Sequence, residues 1–518
     1  IDNMFGKGVN NEKSKATRIS ARLQIADGLT LDGMAMYQKV HQDAKNYYNR
    51  FDYDGAPLTG GRYFQADRAR SPYVDESELY NATLTYRQPF GTFTATASRF
   101  VRDTAFARDA SLAADAFFGL PYDGAGRSSL LQVKHRKVDS AEVRFASDFD
   151  GPFQILVGGF LQNEDRFFRS SWPTVNSAGF PDSASAILLD RTADTSIRER
   201  ALFGEISYDI LPELTFTAGG RLFDFKLEQR SVALVAAGGG AGSGAGPVLK
   251  TGDDGPIGRF NLAYKASDQV NTYIQVAQGY RSGGANDQTA AQIAGVTIPA
   301  GYGSDSLWSY EWGVKTTLLD RALYLNGAVY YIDWSDIQVT NQATSGTLQF
   351  PYTGNGGKAD VKGFEIDLDA RPAQGLRLTF NVNYNLAKLT RDNPIAATGR
   401  KGDRVPYVPK WSGATSVSYT TPISGDLEAT FGVDASYQGA TATKFNATID
   451  NFKRLDDYVL VGLRAGVGQG PWSLTLNVTN LFDDNTPINY NDIVAGLYPD
   501  GLYINRPRTI SLSGSVKF

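Results

Sequence analysis

The most constraining feature of this sequence is an alternation of apolar and polar residues that recurs along its 518 residues. In residues 427–438 every odd position is apolar, and every even position is glycine, polar or charged. Residues 509–518 show the same pattern, with serine, threonine or lysine at each odd position. A period of two is typical of β-strands whose two faces meet different surroundings. The sequence therefore predicts an all-β protein with two-faced strands.

The connections between these runs alternate between very short and very long. Turns of a few residues, such as Asp27-Gly28 and 372–375, are followed by long connections, such as 42–76 and 281–305. A soluble β-sandwich also alternates, but the runs here approach the 9 to 11 residues that a tilted strand needs to cross a bilayer. Short turns on one side and long loops on the other are typical of outer-membrane barrels. We predict a transmembrane, antiparallel, up-and-down β-barrel.

Counting the alternating runs gives about nineteen strands. A bacterial single-chain barrel has an even number, because its first and last strands pair antiparallel and leave no edge in lipid. We therefore expect at least one further strand, encoded before residue 1.

Composition excludes several classes of function. The chain has no cysteine and two histidines, which removes thiolate chemistry and leaves few metal ligands. Its net charge of −4 gives no general attraction for a polyanion, so we expect no nucleic-acid partner. Neither an apolar run long enough for a transmembrane helix nor a signal peptide at residue 1 is evident.

Several segments carry a resemblance to a known family. They are Asn480-Leu481-Phe482-Asp483-Asp484, Arg506-Pro507-Arg508-Thr509 before a strand ending in Phe518, Tyr352-Thr353-Gly354-Asn355 before 359–368, Gly279-Tyr280-Arg281-Ser282-Gly283-Gly284, and Phe203-Gly204-Glu205-Ile206-Ser207-Tyr208. This set resembles the barrel of TonB-dependent outer-membrane transporters. The resemblance spans nearly the whole chain and is most specific over 352–390 and 472–518.

The resemblance implies a 22-stranded barrel filled by an N-terminal plug, with the long loops extracellular. The run 17–25 then corresponds to the fourth strand. We expect residues 1–518 to form one barrel domain, with the plug, the TonB-contacting box and three strands absent from this sequence. Phe518 resembles the C-terminal signal that the barrel-assembly machinery reads.

One long loop carries clustered aromatic and basic residues. We predict ligand-binding positions at Arg62, Tyr63, Phe64, Arg68 and Arg70, since aromatic rings can stack on a planar ligand while guanidinium groups pair with its acidic oxygens. The alternative is that these side chains only pack loops together. Weaker expectations are Arg281, at the end of a strand, and Trp308.

No catalytic or resident metal site is predicted. His41 and His135 could ligate haem or a metal, but histidines on a wet surface are more often ordinary polar residues. We expect no cofactor and no enzymatic activity.

The family resemblance implies energy-coupled uptake of a scarce nutrient, with a ferric siderophore or similar complex favoured, across the outer membrane of a Gram-negative bacterium. Implied partners are membrane lipid, the TonB complex through the missing N-terminal part, a small-molecule or metal-chelate substrate and the assembly machinery. Two alternatives stay open, an open diffusion porin and an outer-membrane hydrolase. Cobalamin, haem, oligosaccharides and plant aromatics also stay open as substrates.

Overall fold

A large antiparallel sheet that curls into a barrel dominates the structure. The structure, a computed structural model, describes residues 1–52, 54, 56–59, 63–293, 295–345, 348–393, 399–449, 452–491 and 501–517. The barrel strands, here β1 to β19 in chain order, are Glu12–Ala26, Leu29–Gln42, Tyr73–Gln88, Gly91–Asp109, Ser129–Ser147, Phe153–Pro173, Ile187–Leu211, Leu214–Val235, Leu249–Ser267, Val270–Arg281, Asp305–Thr316, Leu323–Ser335, Lys358–Ala373, Leu376–Leu389, Trp411–Ser424, Leu427–Gln438, Tyr458–Gln469, Trp472–Thr479 and Thr509–Val516. The predicted all-β barrel of about nineteen strands is confirmed, and the short strand Ala241–Ala245 pairs with β8 in the same sheet.

The remaining elements belong to the long loops. Among the described residues the helices are α1, Ser111–Phe118, and α2, Gln288–Ile293. The short strands are Asp2–Asn3, Tyr47–Asn49, Phe64–Gln65, Ala241–Ala245, Gly284–Ala285, Gly301–Tyr302, Gln338–Ser345, Leu348–Asn355, Thr441–Ala442, Arg454–Leu455, Pro487–Asn491 and Gly501–Ile504. Neither helix has the length and apolar character that crossing a membrane requires.

Each barrel strand pairs antiparallel with the next one along the chain. The tight turns that join alternate pairs depend on backbone conformations that few residues adopt. Gly375 has φ of 73°, and its carbonyl accepts a 2.9 Å hydrogen bond from the N–H of Thr420. A Cβ at Gly375 would lie 2.0 Å from the carbonyl oxygen of Thr420. Glycine is therefore required there by both conformation and space.

The outer face of the sheet carries a continuous apolar band. Leu202 and Leu222 are opposite each other on β7 and β8 and are 67% and 60% exposed. The next outward-facing pair toward the long loops is Arg200 and Asp224, two residues away along each strand. The apolar band ends at this charged pair. On β6 the band covers residues 153–161, or roughly 30 Å along a tilted strand. Nine residues on a tilted strand are close to the 9 to 11 that are needed to cross the hydrocarbon layer of a bilayer.

The inner face is polar over much of the wall, apart from buried apolar residues such as Ile197, Phe223 and Phe225. Hydroxyl groups on neighbouring strands bond to each other across the wall, as between Ser98 and Ser140 at 2.8 Å and between Thr379 and Ser416 at 2.7 Å. The alternate positions of the same strands point outward. Among them, Val143 and Val417 are 61% and 44% exposed. The predicted assignment of an oily outer face and a hydrated inner face agrees with this arrangement.

The first and last strands form the two margins of the sheet. In the described part of the chain, the ladders pair β1 with β2 alone and β19 with β18 alone. All of β1, and all of β19 beyond Thr509, is exposed. Both strands run from the long-loop end toward the short-turn end, so they are parallel to each other. A direct ladder between them would break the antiparallel pattern of the barrel.

Candidate functional site

A small sheet ties the long loops together above the margin between β1 and β19. Its five strands run in the order Asp2–Asn3, Phe64–Gln65, Tyr47–Asn49, Gly501–Ile504 and Pro487–Asn491. The N-terminal segment, the loop after β2 and the loop before β19 therefore share one hydrogen-bonded unit, here called the rim sheet.

Two of the predicted ligand-binding residues lie in or beside the rim sheet. Phe64 pairs with Asp2 on one side and Asn49 on the other. The Tyr63 ring packs edge-on against Tyr48, with 5.2 Å between ring centroids. Both residues join loop segments to each other.

Arg68 also connects two loops. Its Nε lies 3.2 Å from a carboxylate oxygen of Asp123, and its backbone N–H donates a 2.7 Å hydrogen bond to Asp109. Arg62, the first residue of the predicted cluster, lies outside the described residues.

The guanidinium of Arg70 lies between two aromatic rings. The centroid distances are 4.8 Å to Phe5 and 5.1 Å to Phe180, and Nε donates a 3.0 Å hydrogen bond to the carbonyl of Ala178. The residue thus links the N-terminal segment to the loop between β6 and β7. These contacts favour the loop-packing alternative for Tyr63, Phe64, Arg68 and Arg70, whose role in ligand binding stays a prediction.

Arg281 lies at the end of β10 in an ion pair with Asp305, a residue only 2% exposed. Its guanidinium also lies 4.6 Å from the ring centroid of Trp334. The same carboxylate accepts a 3.0 Å hydrogen bond from the backbone N–H of Gln338. Arg281 therefore fixes the bases of the two loops that follow β10 and β12.

Trp308 lies on the outward side of the barrel. On β11 it shares a face with Tyr310 and Trp312, which are 45% and 52% exposed. That position suits an interfacial aromatic girdle better than contact with a ligand in the lumen.

The histidines lie apart, each beside one carboxylate. His41 is 2.9 Å from Asp43, and His135 is 2.8 Å from Asp103. Within the described residues, no group of three or more histidine, aspartate or glutamate side chains is gathered as a metal site would need. Phe518 lies outside those residues, so its role stays a prediction.

Sequence reasoning missed a row of cations and rings on the inner face near the long loops, here called the cation ladder. Lys45 lies 5.4 Å from the ring centroid of Phe106. Lys134 lies 5.5 Å from Phe106 and 5.7 Å from Phe168, and Arg191 lies 5.3 Å from Phe168. The four barrel residues come from consecutive strands, β4 to β7. With strands about 4.8 Å apart, the ladder covers roughly 15 Å of the inner wall.

Burial and neighbouring charges set the electrostatics of the loop end of the ladder. Partial burial and the positive charge of Arg108 lower the pKa of Lys45 to about 8. Nearby Asp67 is 2% exposed, and burial together with the charge of Asp109 raises the pKa of its carboxyl to about 7. The nearest acid therefore only partly offsets the charge of Lys45 at neutral pH.

The barrel sequence matches a known protein family. The family model for the β-barrel of TonB-dependent receptor-like proteins matches residues 17–481. The chain belongs to this family. The receptor barrel is accordingly placed in the outer membrane of a Gram-negative cell. Because such barrels have short periplasmic turns and longer extracellular loops, the cation ladder is expected at the extracellular end of the lumen.

Among curated proteins, the receptor barrel is 26% identical over 280 residues to the pesticin receptor of Yersinia pestis, covering 54% of this chain and 38% of that protein. It is 26% identical over 226 residues to the metal-pseudopaline receptor CntO of Pseudomonas aeruginosa, covering 43% of this chain and 29% of that protein. These alignments span less than half the length of the curated relatives.

Among solved structures, the receptor barrel is similar to the ferric yersiniabactin uptake receptor FyuA from Yersinia pestis. The TM-score is 0.78 at 16% identity, covering 100% of this chain and 73% of that one. At this identity the likeness shows the fold.

Proposed function

We propose that this barrel is the wall of a receptor for TonB-dependent, energy-coupled uptake of a ferric siderophore or similar metal chelate. The observation that carries the proposal is the cation ladder, which places positive charge inside the extracellular mouth of a family barrel. A chelate arriving from outside would meet this surface first.

The descriptions of two similar proteins support the proposed uptake of a metal chelate. FyuA is described as an uptake receptor for ferric yersiniabactin, and CntO as a receptor for metal-pseudopaline. Both descriptions name a metal together with the compound that carries it. We carry that substrate class to this chain, with the metal chelate as cargo.

In the proposed mechanism the chain contributes binding and containment. The ladder and the surrounding loops hold the ligand, and the hydrogen-bonded wall keeps the lumen sealed from lipid. The family resemblance implies that a plug blocks the lumen and that TonB, coupled to the proton-motive force, remodels it. No covalent step is required of the residues described.

We also propose that strands encoded before residue 1 close the barrel. Because β1 and β19 are parallel, an odd number of additional strands restores antiparallel pairing throughout, and three is the number the family resemblance implies. A plug and a TonB box would precede them. Sequencing the coding region upstream of Ile1 tests this directly.

Other partners follow from the same proposal. The apolar band would contact lipid, TonB would act through the N-terminal part, and the assembly machinery would read the C-terminal strand. We further propose that the receptor has no enzymatic activity of its own.

Growth under iron starvation tests the main function. A strain lacking the receptor gene, supplied with a ferric siderophore as sole iron source, should grow only when the complete receptor gene is restored. The same complementation in a host lacking TonB should fail. Uptake that is independent of TonB would overturn the proposal.

Planar-bilayer recording separates this proposal from the porin alternative. The complete receptor should show little steady conductance, because a plug would fill its lumen. A large, stable conductance would favour the porin. Turnover of a substrate that vanishes on substituting His41 or His135 would instead support the hydrolase.

A further inference from the structure

The cation ladder differs from several other inner-wall cations, which are neutralised by acids. Four arginines elsewhere on this face are each paired with an acid: Arg102 with Asp75, Arg136 with Glu164, Arg221 with Glu199 and Arg259 with Glu205. Such pairs leave little charge for a ligand. At the centre of the ladder, Lys134 contacts two phenylalanine rings and forms no ion pair with an acid of the described residues.

Lys134 has the least compensation in this row. Its ammonium lies between Phe106 and Phe168, and within the described residues no acid forms an ion pair with it. The charged groups that influence it most are Arg108 and Arg102, both positive. Cation–π contacts stabilise an ammonium without cancelling its charge. Lys134 therefore presents a positive charge to the lumen.

The ends of the ladder are partly compensated. Arg191 contacts the Asp287 carboxylate in the loop after β10, and it is itself 9% exposed. Lys45 has Asp67 as its nearest acid. The excess of positive charge is thus centred on Lys134.

From this pattern we propose that the ladder selects metal chelates whose donor oxygens carry negative charge, such as catecholates, phenolates or carboxylates, over neutral trihydroxamate complexes. The inference rests on the proposed uptake function and specifies its substrate class. An anionic chelate would supply the negative charge that the protein itself withholds from Lys134. A neutral chelate would leave that charge unmatched while displacing its water.

The test is binding of three ferric complexes to the complete receptor in detergent. The complexes are a ferric tris-catecholate, ferric citrate and a neutral ferric trihydroxamate. We expect at least one of the two anionic complexes to bind more tightly than the trihydroxamate. The relative affinities of the tris-catecholate and of ferric citrate distinguish a preference for aromatic donors from a preference for carboxylate donors. Their binding should weaken as salt is raised.

Lys134→Gln should weaken binding of the preferred anionic complex roughly tenfold, the effect expected on losing one charged contact. It should leave any trihydroxamate binding unchanged. Lys134→Arg, which keeps the charge, should retain most of the affinity. Heat-modifiable migration on gels would confirm that each variant is folded.

Lys137→Gln is the matched control. Lys137 lies on the same strand but on the outer face, where it pairs with Asp139 at 3.3 Å. Asp139 keeps its contact with Arg99 in this variant, so the folded wall loses one charge without gaining an unpaired acid. Binding of all three complexes should be unaffected.

The outcomes separate the two proposals. Preference for the trihydroxamate, or a folded Lys134→Gln variant with unchanged anionic binding, overturns the ladder's role and leaves receptor-mediated iron uptake intact. Failure to bind any ferric complex, together with absence of siderophore-dependent growth, overturns both.

Discussion

Tyr47 donates a 2.5 Å hydrogen bond to Asp67, a carboxylate that is 2% exposed beneath the rim sheet. Ser71 donates to the other carboxylate oxygen at 3.0 Å. These two bonds favour the charged form, but burial and the negative charge of Asp109 outweigh them and raise the pKa to about 7. The group lies in an extracellular loop, where solution pH reaches it.

The raised pKa predicts that the loop between β2 and β3 is held more firmly in mild acid. In the unfolded loop this aspartate loses its proton near pH 4, whereas the folded loop keeps it until about pH 7. Stability should therefore fall as pH rises from about 4 to 7 and level off above that. Hydrogen exchange of residues 43–52, corrected for the intrinsic pH dependence, should show stronger protection at pH 5.5 than at pH 8.

Asp67→Asn supplies the control for that pH effect. The amide can accept from Tyr47 without carrying a charge, so protection should become nearly independent of pH. Equal pH dependence in the wild type and the variant would show that another group is responsible.

Leu476→Arg should destabilise the inserted barrel by about 2–4 kcal/mol if the residue lies near mid-bilayer. Leu476 is 44% exposed within the apolar band of β18, so the charge would enter hydrocarbon. Thr475→Arg, one residue away on the lumen face, should be nearly neutral. Urea unfolding in lipid vesicles measures both, and similar costs would argue against the assigned facing.

Glu164→Gln should destabilise the wall by about 2 kcal/mol, because Glu164 is 2% exposed and contacts both Arg136 and Arg166. Its loss leaves two guanidinium groups facing each other. Glu142→Gln removes an acid from the neighbouring strand, where the 3.4 Å pair with Arg144 is open to water. That control should change the unfolding temperature little, and an equal shift in both variants would contradict the argument.

Asp305→Asn should loosen the loops that follow β10 and β12. The buried carboxylate pairs with Arg281 and accepts from the N–H of Gln338, so the amide can keep only part of this network. Limited proteolysis should cleave residues 282–304 faster than in the wild type. Asp268→Asn, at the opposite end of the barrel and 92% exposed, should leave the pattern unchanged.

The wall was predictable because one local rule governs every strand. Alternation alone placed Leu476 outward and Thr475 inward, and the structure agrees with both. The loops follow no such rule. Arg70 meets Ala178 across 108 residues of sequence, a contact that no local pattern encodes.

The cation ladder falls between these cases. Alternation could have placed Phe106, Lys134 and Phe168 on the inner face, since residues such as Leu161 and Val143 mark the outer one. Whether these three residues lie at the same height along the barrel depends on strand register. The register of β5 and β6 places Lys134 opposite Phe168. Register between long strands is a tertiary property, and a shift of one residue would reverse every face.

The rim sheet connects the two margins of the barrel sheet by hydrogen bonds at the long-loop end. Lys45 stands two residues before Tyr47, whose strand bonds directly to Gly501–Ile504 on the far side of the opening. The rim sheet thus connects the loop that carries this lysine to the loop before β19. A ligand held at Lys45 would therefore act on a loop that is hydrogen-bonded to both margins of the sheet.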